Sequence, residues 1–104
     1  MKVTNNDIFL ANKALFGLSK EKLPSKVAFR LFKLKKILED EVSIMQQSLE
    51  GKSDDDIKEV LEMENEINID KIKASDLGEV NFSIDDVFSL EKFIDFKEED
   101  SWEK

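Results

Sequence analysis

The chain has 104 residues and a mass of 12.0 kDa, room for one domain with one modest core. Apolar residues make up 40% and charged residues 38%, a balance that fits a folded domain rather than a disordered tail, while three Gly and one Pro supply too few turns for a β-sandwich or barrel. The absence of Cys excludes disulfides, zinc–thiolate sites and thiol nucleophiles, and the absence of His removes the commonest general base and metal ligand, so neither a cofactor nor an enzymatic role is expected.

The opening residues lack the apolar core and small-residue cleavage site of a secretory signal, and no apolar run reaches the roughly 18 residues that a membrane span requires. Val3 lies in a short extended stretch. Thr4 and Asp7 form a capping box that opens a first helix, whose apolar positions Ile8, Ala11, Leu15 and Leu18 share one face. The helix ends near Ser19, residues 20–23 connect, and Pro24 suits the first position of the next helix, where its missing N–H is harmless.

Residues 24–49 carry the strongest periodicity in the chain. Val27, Leu31, Leu34, Leu38, Val42, Met45 and Leu49 recur on one face at close to the natural helical period, predicting a straight amphipathic helix roughly 38 Å long. Gly51 suits the position just beyond its end. Ser53 with Asp56 opens a third helix carrying Ile57, Val60 and Leu61 to about Asn65. The alternation after Glu66 predicts a short strand at 67–69, for which the extended segment 2–4 is the available partner. Residues 75–82 read as a loop around Gly78. Ser83 with Asp86 opens a fourth helix through Ile84, Val87, Phe88, Glu91 and Ile94, its apolar face also taking in Leu90 or Phe93. The expected fold is therefore α+β and mostly α: one long helix, two or three shorter ones and a two-stranded ribbon over residues 1–96, followed by an acidic tail at 97–104.

The net charge of −8 conceals an asymmetry: residues 1–52 carry +4 and residues 53–104 carry −12. The long helix opens with Lys26, Arg30, Lys33, Lys35 and Lys36 and turns acidic only at Glu39, Asp40 and Glu41, the reverse of what its dipole favours. Lys26, Arg30 and Lys33 fall together on a face oblique to the apolar stripe, with Phe29, Ile37 and Ile44 on or beside it. Basic and apolar side chains mixed in this way form a contact surface if they remain uncovered. The alternative is that the acidic half of the chain folds over them. The overall acidity and the lack of a stacking platform argue against nucleic acid as a partner.

No catalytic or metal site emerges. Asp54, Asp55 and Asp56 lack the Gly and terminal Glu of a calcium loop and read as helix N-terminal charge, as do Asp85 and Asp86; Gly17, Gly51 and Gly78 are isolated and form no phosphate loop. Trp102 in the tail is a candidate aromatic anchor.

The segment 23–39, with its Leu23-Pro24-Ser25-Lys26-Val27-Ala28 opening and charged long helix, resembles a phage and prophage family known as domain of unknown function 1617. The run 66–77, the helix around Leu90 to Ile94 and the acidic end resemble the later part of that family. The resemblance implies a bacteriophage or prophage origin and brings no activity or active-site residues with it. The combined expectation is a non-enzymatic accessory protein of the host cytoplasm or the virion. It would bind a phage structural protein, a host protein or a second copy of itself through Lys26, Phe29, Arg30, Lys33, Ile37, Ile44 and Trp102, most plausibly in tail assembly. The alternative expectation is an inhibitor of a host defence enzyme whose acidic surface mimics phosphate.

Overall fold

A computed structural model describes residues 1–78 and 80–96 of the chain. The elements run β1 (Lys2–Thr4), α1 (Asn5–Leu18), α2 (Ser25–Leu49), α3 (Asp54–Leu61), β2 (Glu64–Glu66), β3 (Ile72–Lys73), a single 3₁₀ turn (Ala74–Leu77), α4 (Ile84–Leu90) and β4 (Ile94–Asp95). This is a mostly helical α+β fold, with an α1–α2 hairpin as its main layer. The described residues include two small sheets rather than the single expected ribbon.

Helix α1 begins where its cap dictates. The Thr4 hydroxyl accepts from the Asp7 N–H at 3.0 Å, and the Asp7 carboxylate accepts from the Thr4 N–H at 3.0 Å. Ile8, Ala11, Leu15 and Leu18 are buried, the face read from their spacing. Against them lies α2, whose Val27, Leu31, Leu34, Leu38, Val42 and Met45 are buried, with Leu49 half-buried at the rim. Pro24 stands one place earlier than expected. Its ψ of 145° makes it the N-cap, and Ser25 is the first helical residue, because an extended ψ turns the chain in from the connector. Beyond α2, Gly51 takes a φ of +74°, a left-handed backbone that glycine adopts without strain.

The first ribbon forms as expected but in a different register. β1 pairs antiparallel with residues 64–66, not 67–69: Lys2 opposes Glu66, Val3 opposes Asn65 and Thr4 opposes Glu64. Helix α3 correspondingly stops at Leu61 rather than Asn65. Asn5 is the physical reason for both shifts. Its backbone N–H donates to the Met63 carbonyl at 2.9 Å, its side-chain amide donates to the Val60 carbonyl at 2.7 Å, and its side-chain oxygen accepts from Asn65 at 2.6 Å. These bonds draw the chain out of the helix at Met63. Past Glu66, Ile67 still exchanges bonds with Met1, but the Ile69 N–H bonds back to the Ile67 carbonyl at 3.0 Å, a tight turn that ends the ladder.

Two further corrections concern the last third of the chain. Residues 74–77 form a 3₁₀ turn ending at Gly78, with φ +63°, where a plain loop was expected. Helix α4 keeps its expected cap, with reciprocal bonds between Ser83 and Asp86 of 3.0 and 3.1 Å, but ends at Leu90. Ile94 then joins β4, which runs parallel to β3. Parallel strands need a long crossover, and the 3₁₀ turn and α4 provide it. Leu90, Phe93 and Ile94 enter the core and Val87 is half-buried, as the expected face allowed, but Ile84 (89% exposed) and Phe88 (72% exposed), expected on that face, turn outward. The acidic tail 97–104 and its Trp102 lie outside the described residues.

Leu38, fully buried at the centre of α2, tests the hairpin. Leu38→Ala is expected to lower stability by about 2–5 kcal/mol in chemical denaturation. A second expectation concerns acid. The N-terminal amine lies 2.9 Å from Glu66 and holds its carboxyl below the usual range, and Lys35 does the same to Glu39. A carboxyl lowered in the folded state stabilises above its unfolded pKa, and that contribution is lost as pH falls through the folded value. Urea midpoints should therefore drop between pH 5 and pH 3, values spanning the ordinary carboxyl pKa of roughly 4, and Glu66→Gln should shrink the drop.

Candidate functional site

The two long helices meet along one apolar stripe each, and that stripe leaves much of α2 uncovered. On its open sides stand Phe29 and Phe32, each 62% exposed, with Ile37 and Ile44 also exposed. Helix α1 contributes the outward rings of Phe9 and Phe16, seven residues apart and hence on one side of the helix. Near the turn of the hairpin, Phe29 and Phe32 stand at the mouth of an open apolar groove of about 390 Å³ that has Leu15, Leu18 and Leu23 in its wall. That volume lies in the range of sites that accept a small molecule or an inserted side chain.

Lys35 and the acid Glu21 line the groove, and further cations stand beside it. The Lys20 ammonium stands 4.7 Å from the centre of the Phe16 ring, Lys35 stands 5.8 Å from it, and Lys33 lies 5.6 Å from the Phe29 ring. A positive charge over an aromatic face is attracted by the ring quadrupole, which keeps these flexible side chains beside the rings. Lys35 also forms an ion pair with Glu39, one helical turn on, and Lys36 pairs with Asp40 at 4.0 Å. Among the described residues, Lys26, Arg30 and Lys33 make no ion pair.

The residues singled out in the sequence divide into groups. Lys26, Phe29, Arg30 and Lys33 surround a shallow recess of about 240 Å³. Arg30, Lys33 and Ile37 border another, of about 230 Å³, closed on its far side by Ile69, Asp70 and Ile72. The C-terminal half therefore reaches one flank of the basic face. Ile44 stands apart from both recesses, seven residues or about 10 Å along the helix from Ile37. Trp102 lies outside the described residues.

Phe32 and Lys35 line the groove, Phe16 lies under Lys20 and Lys35 beside it, and none of the three was among the expected contact residues. Phe32 sits three residues from Phe29, but it falls on the other flank of the apolar stripe, and only the docking of α1 brings Phe16 to Lys35 of α2. A signal was present: Phe9 and Phe16, off the α1 stripe and one heptad apart, mark a second apolar line on a helix with only one side available for burial.

Asp54, Asp55 and Asp56 are exposed in the first turn of α3, where the Ser53 hydroxyl accepts from the Asp56 N–H. Among the described residues no helix is long and apolar enough to cross a membrane. Comparison with models of known protein families, with curated proteins and with solved structures finds no match in any of the three.

Proposed function

We propose that this chain is a non-enzymatic protein-binding protein of a bacteriophage or prophage, acting in the host cytoplasm or the virion and docking its partner on the α1–α2 hairpin. The observation that carries the reading is the open groove with Phe29 and Phe32 at its mouth and Phe16 near its cationic rim. Exposed aromatic rings clustered around a concavity are the usual anchors of a protein interface, and cations at the edge steer an oppositely charged partner into place. The phage assignment rests on the resemblance of segments 23–39 and 66–77, and within that setting the role proposed is tail assembly.

The arrangement of charge on α2 supports the same reading. Its N-cap, Pro24, makes no side-chain bond, its first turn holds no acidic residue, and Lys26 faces the positive end of the helix dipole. The two ion pairs place lysine ahead of the acid, the weaker orientation on a helix. Stability alone would favour the opposite distribution.

Phe29→Ser with Phe32→Ser alters exposed positions, so the fold should keep its stability to within about 0.5 kcal/mol. The wild-type chain should co-sediment with phage particles purified from producing cells, and the double variant should remain in the supernatant. Equal distribution of the two proteins would contradict the proposal. Lys26→Glu separates stability from docking: it should raise stability by about 0.3–1 kcal/mol in thermal melts through the helix dipole and lower particle association.

A further inference from the structure

The groove has a counterpart elsewhere on the same molecule. Ile84 and Phe88 on α4 are the most exposed large apolar side chains among the described residues, at 89% and 72%. Four residues apart, they project from one side of the helix, the spacing with which a helix lays two anchors into a groove. Burying neither while leaving both exposed is unfavourable for an isolated chain, since each would release apolar surface from water on docking. Their surroundings are acidic: Asp85 lies beside Ile84, and Glu91 falls on the same side, one turn beyond Phe88. Neither Ile84 nor Phe88 lines the groove of its own chain.

We infer that the occupant of the hairpin groove is the α4 knob of a second copy of this chain, with Ile84 and Phe88 entering between Phe29, Phe32 and the wall at Leu15 and Leu23. The inference rests on the reading of the hairpin as a protein-docking surface and names its partner. Complementarity of charge selects this occupant. Lys35 lines the groove together with the acid Glu21, Lys20 and Lys33 stand near it over the Phe16 and Phe29 rings, and Lys26 and Arg30 beside it make no ion pair among the described residues, so cations prevail around it. The knob instead carries Asp85 and Glu91 beside its two apolar anchors, with Lys92 as the one nearby cation in the sequence. The same polarity runs through the whole chain, +4 in residues 1–52 and −12 in residues 53–104. Two groove faces brought together would instead oppose lysine to lysine.

Groove and knob are different patches, so the contact is heterologous. Each bound copy presents a free groove at one end and a free knob at the other, and association continues until a ring closes or a filament grows. The rim charges make it sensitive to salt, and the apolar anchors set its specificity.

The test uses two variants of the full chain, Ile84→Ser with Phe88→Ser (knob removed) and Phe29→Ser with Phe32→Ser (groove opened), followed by sedimentation velocity over a concentration series. All four positions are exposed, and circular dichroism confirms that each variant is folded. The wild type should form species larger than a dimer, dissociating as salt is raised, and each variant alone should be monomeric. An equimolar mixture should give a dimer and nothing larger, because the intact knob of one variant fills the intact groove of the other and no second site remains. A monomeric wild type, a knob variant that still associates, or a mixture that stays monomeric would each overturn the inference. If such a result accompanies particle association that still depends on Phe29 and Phe32, the second copy is excluded and the docking surface stands. If that association is absent too, both readings fall.

Discussion

A helix of 25 residues has more circumference than a chain of this size can cover, and the structure follows from how that constraint is met. Helix α1 takes one stripe of α2, from Val27 to Met45, and builds with it the seam that holds Leu15, Leu31 and Leu38 away from water. Every other element is arranged around that hairpin. Helix α4 packs on α1, α3 reaches both helices, and the short strands tie the ends of the chain back to them. What remains of α2 keeps Phe29 and Phe32 and the basic side chains of Lys26, Arg30, Lys33 and Lys36 in solvent.

Charge sharpens the division. The acidic half supplies β2, the 3₁₀ turn and α4, and its connecting stretch Ile69, Asp70 and Ile72 comes to the flank of Arg30 and Ile37. Lysines gathered near the positive end of the α2 dipole oppose its stability, and the acids that pair with Lys35 and Lys36, Glu39 and Asp40, lie further along the same helix. A surface that is both destabilising and apolar is intelligible when covering it with a partner relieves both terms.

Much of the fold was legible because it is locally encoded. The capping boxes at Thr4 and Ser83 and the stripe of α2 depend on residues within a turn or two, and each folds as its spacing implies. What failed was set by distant partners. Asn5 reaches across to Val60, Met63 and Asn65, which ends α3 early and moves the ribbon three residues; no spacing within 53–69 could reveal a clasp supplied from α1. In α4 the apolar residues fall on two sides of one short helix, and the pairing of Ile94 with Ile72 decides which side turns inward. The site followed the same rule. Phe29, Arg30, Lys33 and Ile37 were legible as off-stripe residues of one helix, whereas Phe16 and Phe32 acquire their meaning only when α1 lies beside α2. Ile44 shares the helical side of Ile37 yet borders neither of the recesses beside it, because pitch alone does not report how far along the rod a groove extends.

The central claim is that the outer face of the hairpin is made to be covered by another protein. The most direct measurement is the solvent exposure of the two rings at its mouth, read by fluorine NMR with 4-fluorophenylalanine placed at positions 29 and 32 one at a time. The account predicts resonances with a full water-isotope shift in dilute protein that lose this shift as concentration rises and regain it at high salt. Rings that keep the full shift at every concentration, and in the particle-bound fraction as well, would contradict it.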